Sequence, residues 1–227
     1  MNEEHSQESG GDSPHHWHLP RIDLEHPIGG EMSEVVLGLL RRVQLPYLEQ
    51  RYHSLPVLSI FSLINGFISI ALMALTALIT DAPFVFPSLG PTAFLFFYTP
   101  TSATASPRNT IIGHAVGAAV GWLSLAAFGL THSPPALAEG VSLSRVGASG
   151  LSLGLTSGVM VLLRSPHPPA GATTLIISLG LIAHLWELGV LMIAVLLLTG
   201  QAIVINRLAG VPYPLWAPRS AEPPLAR

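Results

Sequence analysis

The chain has 227 residues, of which 49% are hydrophobic and only 10% are charged, and its formal net charge is −3. Soluble domains carry roughly a quarter of charged residues, so this composition excludes an ordinary water-soluble protein and favours an α-helical membrane protein. The small net charge gives no indication of nucleic-acid binding, and the absence of cysteine excludes disulfide and thiolate chemistry.

The N-terminal region differs in composition from everything that follows it. Residues 1–32 are acidic and histidine-rich and contain little to bury, so we predict a disordered tail. In such a tail, the histidines at 15, 16 and 18 would have no fixed geometry for binding a metal. We therefore predict no metal site there, and no cofactor elsewhere in the chain.

An amphipathic helix is predicted for residues 33–52, at the membrane interface. Its apolar face consists of Val36, Leu39, Leu40 and Val43. Arg41, Arg42 and Arg51 would then lie against anionic headgroups, just before the first membrane segment.

Six apolar segments follow, at about residues 56–80, 83–99, 110–130, 141–163, 167–183 and 187–206. The second and fifth are short, and each is broken near its start by proline and glycine. We place the transmembrane domain at 55–206 and a cytoplasmic C-terminal tail at 207–227.

The two short segments resemble each other. Residues 87–94 align without gaps on residues 168–175, which gives the pattern Pro-x-x-Gly-x-Thr twice, and each half then reads long, short, long. Three crossings in each half would invert the second half relative to the first, as in many secondary transporters. The predicted fold is therefore an all-α membrane protein built from two inverted three-segment repeats.

The arginines test this topology. With six crossings and a cytoplasmic N-terminus, one side gathers Arg41, Arg42, Arg51, Arg108, Arg164, Arg207 and Arg219, as the positive-inside rule requires. With four full spans and two re-entrant segments, Arg108 and Arg164 would lie outside. We favour six crossings in the inner (plasma) membrane, with both termini cytoplasmic.

Glycines recur every four residues on two of the long segments. Gly113, Gly117 and Gly121 form one such face, and residues 150, 154 and 158 form the other, so helices can approach closely there. These faces would also permit a homo-oligomer. Arg145, within the fourth segment, is interpreted as reaching out to the interface.

Two motifs resemble the HPP family of integral membrane proteins. Residues 165–173 contain the His-Pro-Pro signature, and residues 106–114 are similar to the family's Pro-Arg-Asn…Gly-His stretch. The resemblance implies a membrane protein conventionally described with four spans, some plant and cyanobacterial members of which are associated with nitrite transport. At residues 90–93 this chain reads Gly-Pro-Thr-Ala where the family usually has Gly-Ala-Ser-Ala.

The two short segments carry the predicted binding site. Proline suits the first turn of a helix, so Pro91 and Pro168 or Pro169 can begin half-helices whose free N–H groups favour an anion. The predicted substrate-binding residues are Ser88, Gly90, Pro91, Thr92, His167, Pro168, Pro169, Gly171, Thr173 and Thr174.

Four further residues are candidates for the ion pathway or for proton handling: Arg108, Asn109, His114 and Arg164. Arg108 and His114 are six residues apart on one helix and point in different directions, so they should not face the same cavity. Arg108 would attract ions at the membrane edge, whereas His114 lies deeper.

No enzyme is predicted, because the sequence lacks a nucleophile elbow, a metalloprotease HExxH, a phosphate loop and paired carboxylates within the membrane. We predict a transporter or channel for a small monovalent anion, with nitrite as the expected substrate. The expected partners are this anion and the lipid bilayer. The alternatives are a membrane scaffold or assembly protein that transports nothing and, less favoured, an intramembrane enzyme.

Overall fold

Residues 44–218, the part of the chain described by the computed structural model, fold into helices and connecting loops without any strand. The helices are α1 (Leu45–Arg51), α2 (Ser54–Thr80), α3 (Leu89–Tyr98), α4 (Pro107–Ala127), α5 (Ala136–Glu139), α6 (Leu143–Leu162), α7 (Pro169–Ser178) and α8 (Leu185–Leu208), with a 3-10 turn at Ala103–Ala105. The all-α prediction is confirmed for this part of the chain.

Four of these helices, α2, α4, α6 and α8, are long and apolar enough to cross a membrane. They coincide with the four long segments predicted from the sequence. On α2, the side chains of Leu63, Phe67 and Leu78 are 71%, 74% and 76% exposed. Such large apolar side chains are stable against lipid rather than water. The prediction of a membrane protein is therefore confirmed, with four candidate spans.

The two short segments form helices of ten residues each, α3 and α7. At a rise of about 1.5 Å per residue, each is about 15 Å long. That is half of the roughly 30 Å hydrocarbon core. Helix α7 begins at Pro169, as predicted, whereas α3 begins at Leu89, two residues before Pro91. The chain just before α3, at residues 83–86, has no regular structure.

Helix α4 lies at the centre and packs against α6, α7 and α8. Its glycine face meets α7 directly: a Cβ added at Gly117 would lie 2.6 Å from the Ala170 carbonyl oxygen, and one at Gly121 would lie 2.9 Å from that of Thr174. The close approach predicted for this face is confirmed. On α6, by contrast, a Cβ added at Gly150, Gly154 or Gly158 would meet nothing within 4 Å.

One end of the bundle, called here the arginine end, carries Arg108, Arg164 and Arg207. The backbone N–H of Arg108 donates to the Trp216 carbonyl oxygen, and its guanidinium donates to the Arg164 carbonyl oxygen. Arg207 donates to the backbone oxygen of Tyr213. The starts and ends of three long helices are therefore tied together there by hydrogen bonds.

Tyr213 fastens the C-terminal segment to the arginine end. Its side chain is fully buried, its hydroxyl donates to the Ala105 carbonyl oxygen at 2.6 Å, and its ring packs edge-on against Phe96. Burial raises the pKa of the Tyr213 phenol well above its usual value, so the hydroxyl stays a donor. The region predicted as a tail from residue 207 thus begins within α8 and packs against the bundle as far as residue 214.

The interpretation of Arg145 as an interfacial side chain is wrong. Only 2% of it is exposed, and its guanidinium donates to the carbonyl oxygens of Ser133, Pro134 and Ser178. Ser178 is the last residue of α7, so the buried cation caps a helix end that carries partial negative charge. These contacts define the opposite end of the bundle.

Several predictions fall outside the described residues. They are the N-terminal tail, residues 33–43 of the predicted interfacial helix with Arg41 and Arg42, and Arg219. Within the described part of that interfacial segment, α1 covers Leu45–Arg51, and the Leu45 N–H donates to the Ala209 carbonyl oxygen at the end of α8.

Candidate functional site

Four fully buried polar side chains meet where α3, α4 and α7 come together. They are Thr92 on α3, His114 on α4, His167 just before α7, and Thr173 on α7. We call this group the His–Thr cluster. Thr92 and Thr173 occupy the same position in the two copies of Pro-x-x-Gly-x-Thr, so the repeated pattern delivers one hydroxyl from each half of the chain.

The ring of His114 lies between these two hydroxyls. Its Nε2 is 3.0 Å from Thr92 Oγ1, and its Nδ1 is 2.7 Å from Thr173 Oγ1. The Thr92 hydroxyl also donates to the Ser88 carbonyl oxygen, so it has to accept from Nε2–H of His114. Nδ1 of His114 is then the acceptor, and the Thr173 hydroxyl donates to it.

The ring of His167 completes the cluster. Its Nδ1 donates to the Thr104 carbonyl oxygen at 2.8 Å, which leaves Nε2 as the acceptor of the neutral ring. That Nε2 lies 3.2 Å from Nε2 of His114 and 3.4 Å from Thr92 Oγ1. With both rings neutral, the N–H of His114 therefore points at both neighbours.

Glycine makes room for this arrangement. A Cβ added at Gly113 would lie 2.8 Å from the Cβ of His167, closer than real Cβ contacts come. Because Gly113 precedes His114 on α4, its missing side chain lets His167 approach the neighbouring ring. The Pro-Arg-Asn…Gly-His motif and the His-Pro-Pro motif thus meet in space.

The other predicted binding residues take different positions. Ser88 and Thr174 are fully buried and their hydroxyls have no hydrogen-bond partner. Gly90 and Pro91 are exposed on the outer side of the first turn of α3, and a Cβ added at Gly90 would meet nothing within 4 Å. The structure therefore brings Thr92, but not Gly90 or Pro91, into contact with the histidines.

At α7, Pro169 is buried and Pro168 is exposed. Gly171 faces α6, because a Cβ added there would lie 3.3 Å from a methyl group of Leu153. Gly171 is thus a packing position between α6 and α7 in this arrangement, and the histidines lie elsewhere.

The backbone donors at the two helix starts are largely occupied. Proline has no N–H, and the N–H groups of Ala170 and Gly171 donate to the carbonyl oxygens of His167 and Pro168. The N–H of Leu89 likewise donates to Phe86. The expectation of free N–H groups is therefore not met at these three positions.

Arg108, Asn109 and Arg164 lie at the arginine end. Arg108 donates to the carbonyl oxygens of Leu163 and Arg164, and to the side-chain oxygen of Asn109. Asn109 is buried and donates to the Ala103 carbonyl oxygen. The side chain of Arg164 is exposed. Arg108 and His114 do not share a contact, in agreement with their helical spacing.

Two contacts of the cluster were missed by the sequence reasoning. Thr110 Oγ1 lies 3.4 Å from Nδ1 of His167, and Thr104 supplies the carbonyl oxygen described above. Thr110 precedes His114 by four residues and so shares its helix face, a signal that could have identified it. Nothing in the sequence marks Thr104.

The cluster contains two histidines and no carboxylate or thiolate. No group of three or more His, Cys, Asp or Glu side chains within residues 44–218 could hold one. The cluster instead offers neutral imidazoles and hydroxyls, which donate and accept hydrogen bonds and can move protons.

The chain was compared with known proteins. Two transmembrane proteins of Dictyostelium discoideum are similar to it: one is 34% identical over 122 residues, covering 51% of this chain and 35% of that protein. The other is 32% identical over 136 residues, covering 57% of this chain and 44% of that protein. This chain thus spans less than half the length of either relative. No solved structure gives a significant match.

A family match gives a firmer assignment. The model of the family described as HPP, transmembrane region, matches residues 53–214. This range includes both copies of Pro-x-x-Gly-x-Thr and every member of the His–Thr cluster. Since this match covers well over half of the sequence, the chain belongs to the HPP transmembrane family.

Proposed function

We propose that this chain is a transporter or channel for a small monovalent anion in the plasma membrane, with nitrite as the first substrate to test. The observation that carries the proposal is the His–Thr cluster, in which Thr92 and Thr173 bind opposite ring nitrogens of His114. Two short helices thereby direct their first turns at one buried polar centre, an arrangement typical of midplane substrate sites.

The cluster has no fixed charge, but its hydrogen-bond donors suit an anion. Transferring an unpaired ion into a medium like hydrocarbon costs tens of kcal/mol by an idealised Born estimate, so a site must replace its water with donors. The chain has no lysine, and the guanidiniums of Arg108, Arg145 and Arg207 donate to carbonyl oxygens at the two ends of the bundle. The donors of the His–Thr cluster are imidazole N–H groups and hydroxyls, which a bound anion would share with their present partners.

Two unused hydroxyls strengthen this reading. Those of Ser88, the residue before α3, and of Thr174, within α7, are buried without a hydrogen-bond partner. A buried polar group without a partner costs about 1–3 kcal/mol. A ligand that accepts from them would recover that energy.

We also propose six crossings arranged as two inverted repeats. Helix α3 ends near the arginine end, since Ser62 near the start of α2 bonds to Phe97 and the 3-10 turn contacts Tyr213. Helix α7 runs the other way, because its last residue contacts Arg145 at the opposite end. The two short helices would then cross in opposite senses, and the positive-inside rule makes the arginine end cytoplasmic.

A scaffold without transport activity is the competing function, and we infer no enzymatic activity. Uptake by purified protein in liposomes separates transport from scaffolding. Nitrite, nitrate, formate and bicarbonate would each be offered, with empty liposomes as the control for leak. We expect saturable uptake of nitrite and little uptake of bicarbonate.

A matched pair of variants locates the site. His167→Ala should reduce nitrite uptake strongly, while His132→Ala should leave it unchanged, because His132 is exposed in the loop between α4 and α5. Folding of both variants is checked by gel filtration in detergent. Equal uptake by the parent and empty liposomes would support the scaffold function instead.

A further inference from the structure

We propose that the His114–His167 pair takes up one proton with each transported anion, so that the protein works as a proton–anion symporter. This inference rests on the proposed function and adds its coupling ion. It is carried by a continuous line of hydrogen bonds through the centre of the bundle.

The line has a defined direction. The Thr173 hydroxyl donates to Nδ1 of His114, Nε2–H of His114 points at Nε2 of His167, and Nδ1–H of His167 donates to the Thr104 carbonyl oxygen. Thr104 is only partly buried and is the middle residue of the 3-10 turn Ala103–Ala105, at the arginine end. The line therefore connects α7, in the interior, with that end of the bundle.

One extra proton fits into this line. With both rings neutral, a single proton occupies the gap between the two Nε2 atoms, and Nδ1 of His114 faces a hydroxyl that can rotate. A proton from water forms an N–H bond at Nδ1 of His114 when the Thr173 hydroxyl turns to accept from it. Release reverses these steps: the N–H bond breaks, the proton returns to water at the other side, and no electron moves.

A second extra proton does not fit equally well. It would have to enter the gap between the two Nε2 atoms, which is 3.2 Å wide and already holds one proton. Two N–H groups would then point at each other, and two cationic rings would lie in contact, an arrangement that like-charge repulsion disfavours. The geometry thus limits the pair to one proton for each transport cycle.

Burial links this proton to the anion. A cationic ring at this depth is costly without a neighbouring negative charge, and an anion there is costly without a positive one. Each ion therefore favours binding of the other, and by thermodynamic linkage the effect is mutual. A monovalent anion and one proton carry no net charge, so their joint transport moves no charge across the membrane.

The surrounding charges leave this role to the histidines. On the described elements packed around the pair, the ionisable side chains are Tyr98, Arg108, Arg145, Arg164, Glu187, Arg207 and Tyr213. The hydrogen bonds of the two rings go to hydroxyls, to the Thr104 carbonyl oxygen and to each other. None of them goes to a charged side chain, so no carboxylate among the residues described supplies a counter-charge through these bonds.

The test measures protons and anions together. Purified parent protein is placed in liposomes that contain a fluorescent pH indicator, and nitrite is added outside. Empty liposomes of the same lipid measure the leak of nitrous acid. We expect the lumen to acidify by one proton for each nitrite taken up beyond this leak, and the uptake rate to be unaffected when potassium and valinomycin set the membrane potential.

Variants assign the coupling to the pair. His114→Gln and His167→Gln should lose the coupled acidification, and any nitrite uptake that remains should become dependent on the membrane potential. His132→Gln, the same change at an exposed loop position, should behave like the parent. The parent alone shows whether protons and charge move, so this part of the test does not depend on either variant folding.

The outcomes are distinguishable. Nitrite uptake by the parent that moves charge and no protons would overturn the coupling while leaving the proposed function intact. No nitrite uptake above empty liposomes would overturn the transport function and the coupling with it. Coupled acidification that persists in well-folded His114→Gln and His167→Gln proteins would show that the proton travels elsewhere, and would equally overturn the assignment.

Discussion

Nε2 of His114 lies 3.2 Å from Nε2 of His167, although the two residues belong to different sequence motifs and different halves of the chain. Both side chains are fully buried, and the rings are tilted by 59° to each other with centroids 4.9 Å apart. The contact joins the helix that centres the bundle to the start of a half-length helix. It therefore gives a physical reason why this fold places a histidine in each motif.

The glycine face of α4 should be sensitive to the smallest side chain. Gly117→Ala places a methyl group 2.6 Å from the Ala170 carbonyl oxygen, and backbone cannot move aside easily. We expect overpacking to lower the free energy of unfolding by about 1–3 kcal/mol. This exceeds the gain of about 1 kcal/mol in helix propensity. Thermal unfolding in detergent measures the change.

Gly154→Ala is the matched control for that prediction. It makes the same substitution within α6, where an added Cβ meets nothing within 4 Å. The variant should equal or slightly exceed the parent in stability. Equal melting temperatures for Gly117→Ala and the parent would contradict the close packing of α4 on α7.

Arg145 should be important for stability although its hydrogen bonds go to no member of the His–Thr cluster. Arg145→Met removes the donor shared by the carbonyl oxygens of Ser133, Pro134 and Ser178 and leaves the end of α7 uncapped. Since each hydrogen bond to a charged group contributes about 1.5–3 kcal/mol, we expect the free energy of unfolding to fall by at least that amount. Arg51→Met, at an exposed position in α1, should have little effect on the melting temperature. A stable Arg145→Met protein would instead favour an interfacial role for this side chain.

The topology can be tested with single cysteines, because the natural chain has none. Thr101→Cys places a thiol in an exposed position at the arginine end, and Leu137→Cys places one in α5, where the leucine is 82% exposed. In intact cells, an impermeant maleimide should label position 137 and not position 101. Labelling of position 101 from outside would contradict a cytoplasmic arginine end.

The four long helices and the two short ones could be predicted from the sequence because each depends on a local signal, whereas α5, which lies between two predicted segments, was not predicted. Apolar length identified the four long helices, and prolines with glycine marked the two short ones. The C-terminal segment could not be identified in this way: Pro212 and Pro214 flank Tyr213 and suggest an irregular tail. Only the tertiary contacts with Ala105 and Phe96 show that the tyrosine is buried.

The site was predicted less completely, for a similar reason. Both histidines were selected, but His114 was placed on the ion pathway and His167 at the binding site, with no contact expected between them. Helical periodicity tells which residues share a face, and does not tell which faces meet. The prediction of free N–H groups at the helix starts also did not consider that such a group can donate to a preceding carbonyl oxygen, as that of Ala170 does.

The hydroxyl of Thr173 should matter more to the cluster than its size. Thr173→Val keeps the shape of the side chain but leaves Nδ1 of His114 without its donor at 2.7 Å. Hydrogen bonds between membrane helices average only about 0.6 kcal/mol. A buried acceptor without any partner, however, costs about 1–3 kcal/mol, so we expect the free energy of unfolding to fall by about that amount.

Thr173→Ser distinguishes the hydroxyl from the methyl group of the same residue. It retains the donor to His114 and should keep nitrite uptake close to that of the parent, whereas Thr173→Val should reduce both uptake and melting temperature. Both variants are measured in the same liposome and detergent assays. If Thr173→Val matched the parent and Thr173→Ser did not, packing rather than hydrogen bonding would hold the His114 ring, because the methyl group would then be the part of Thr173 that the cluster requires.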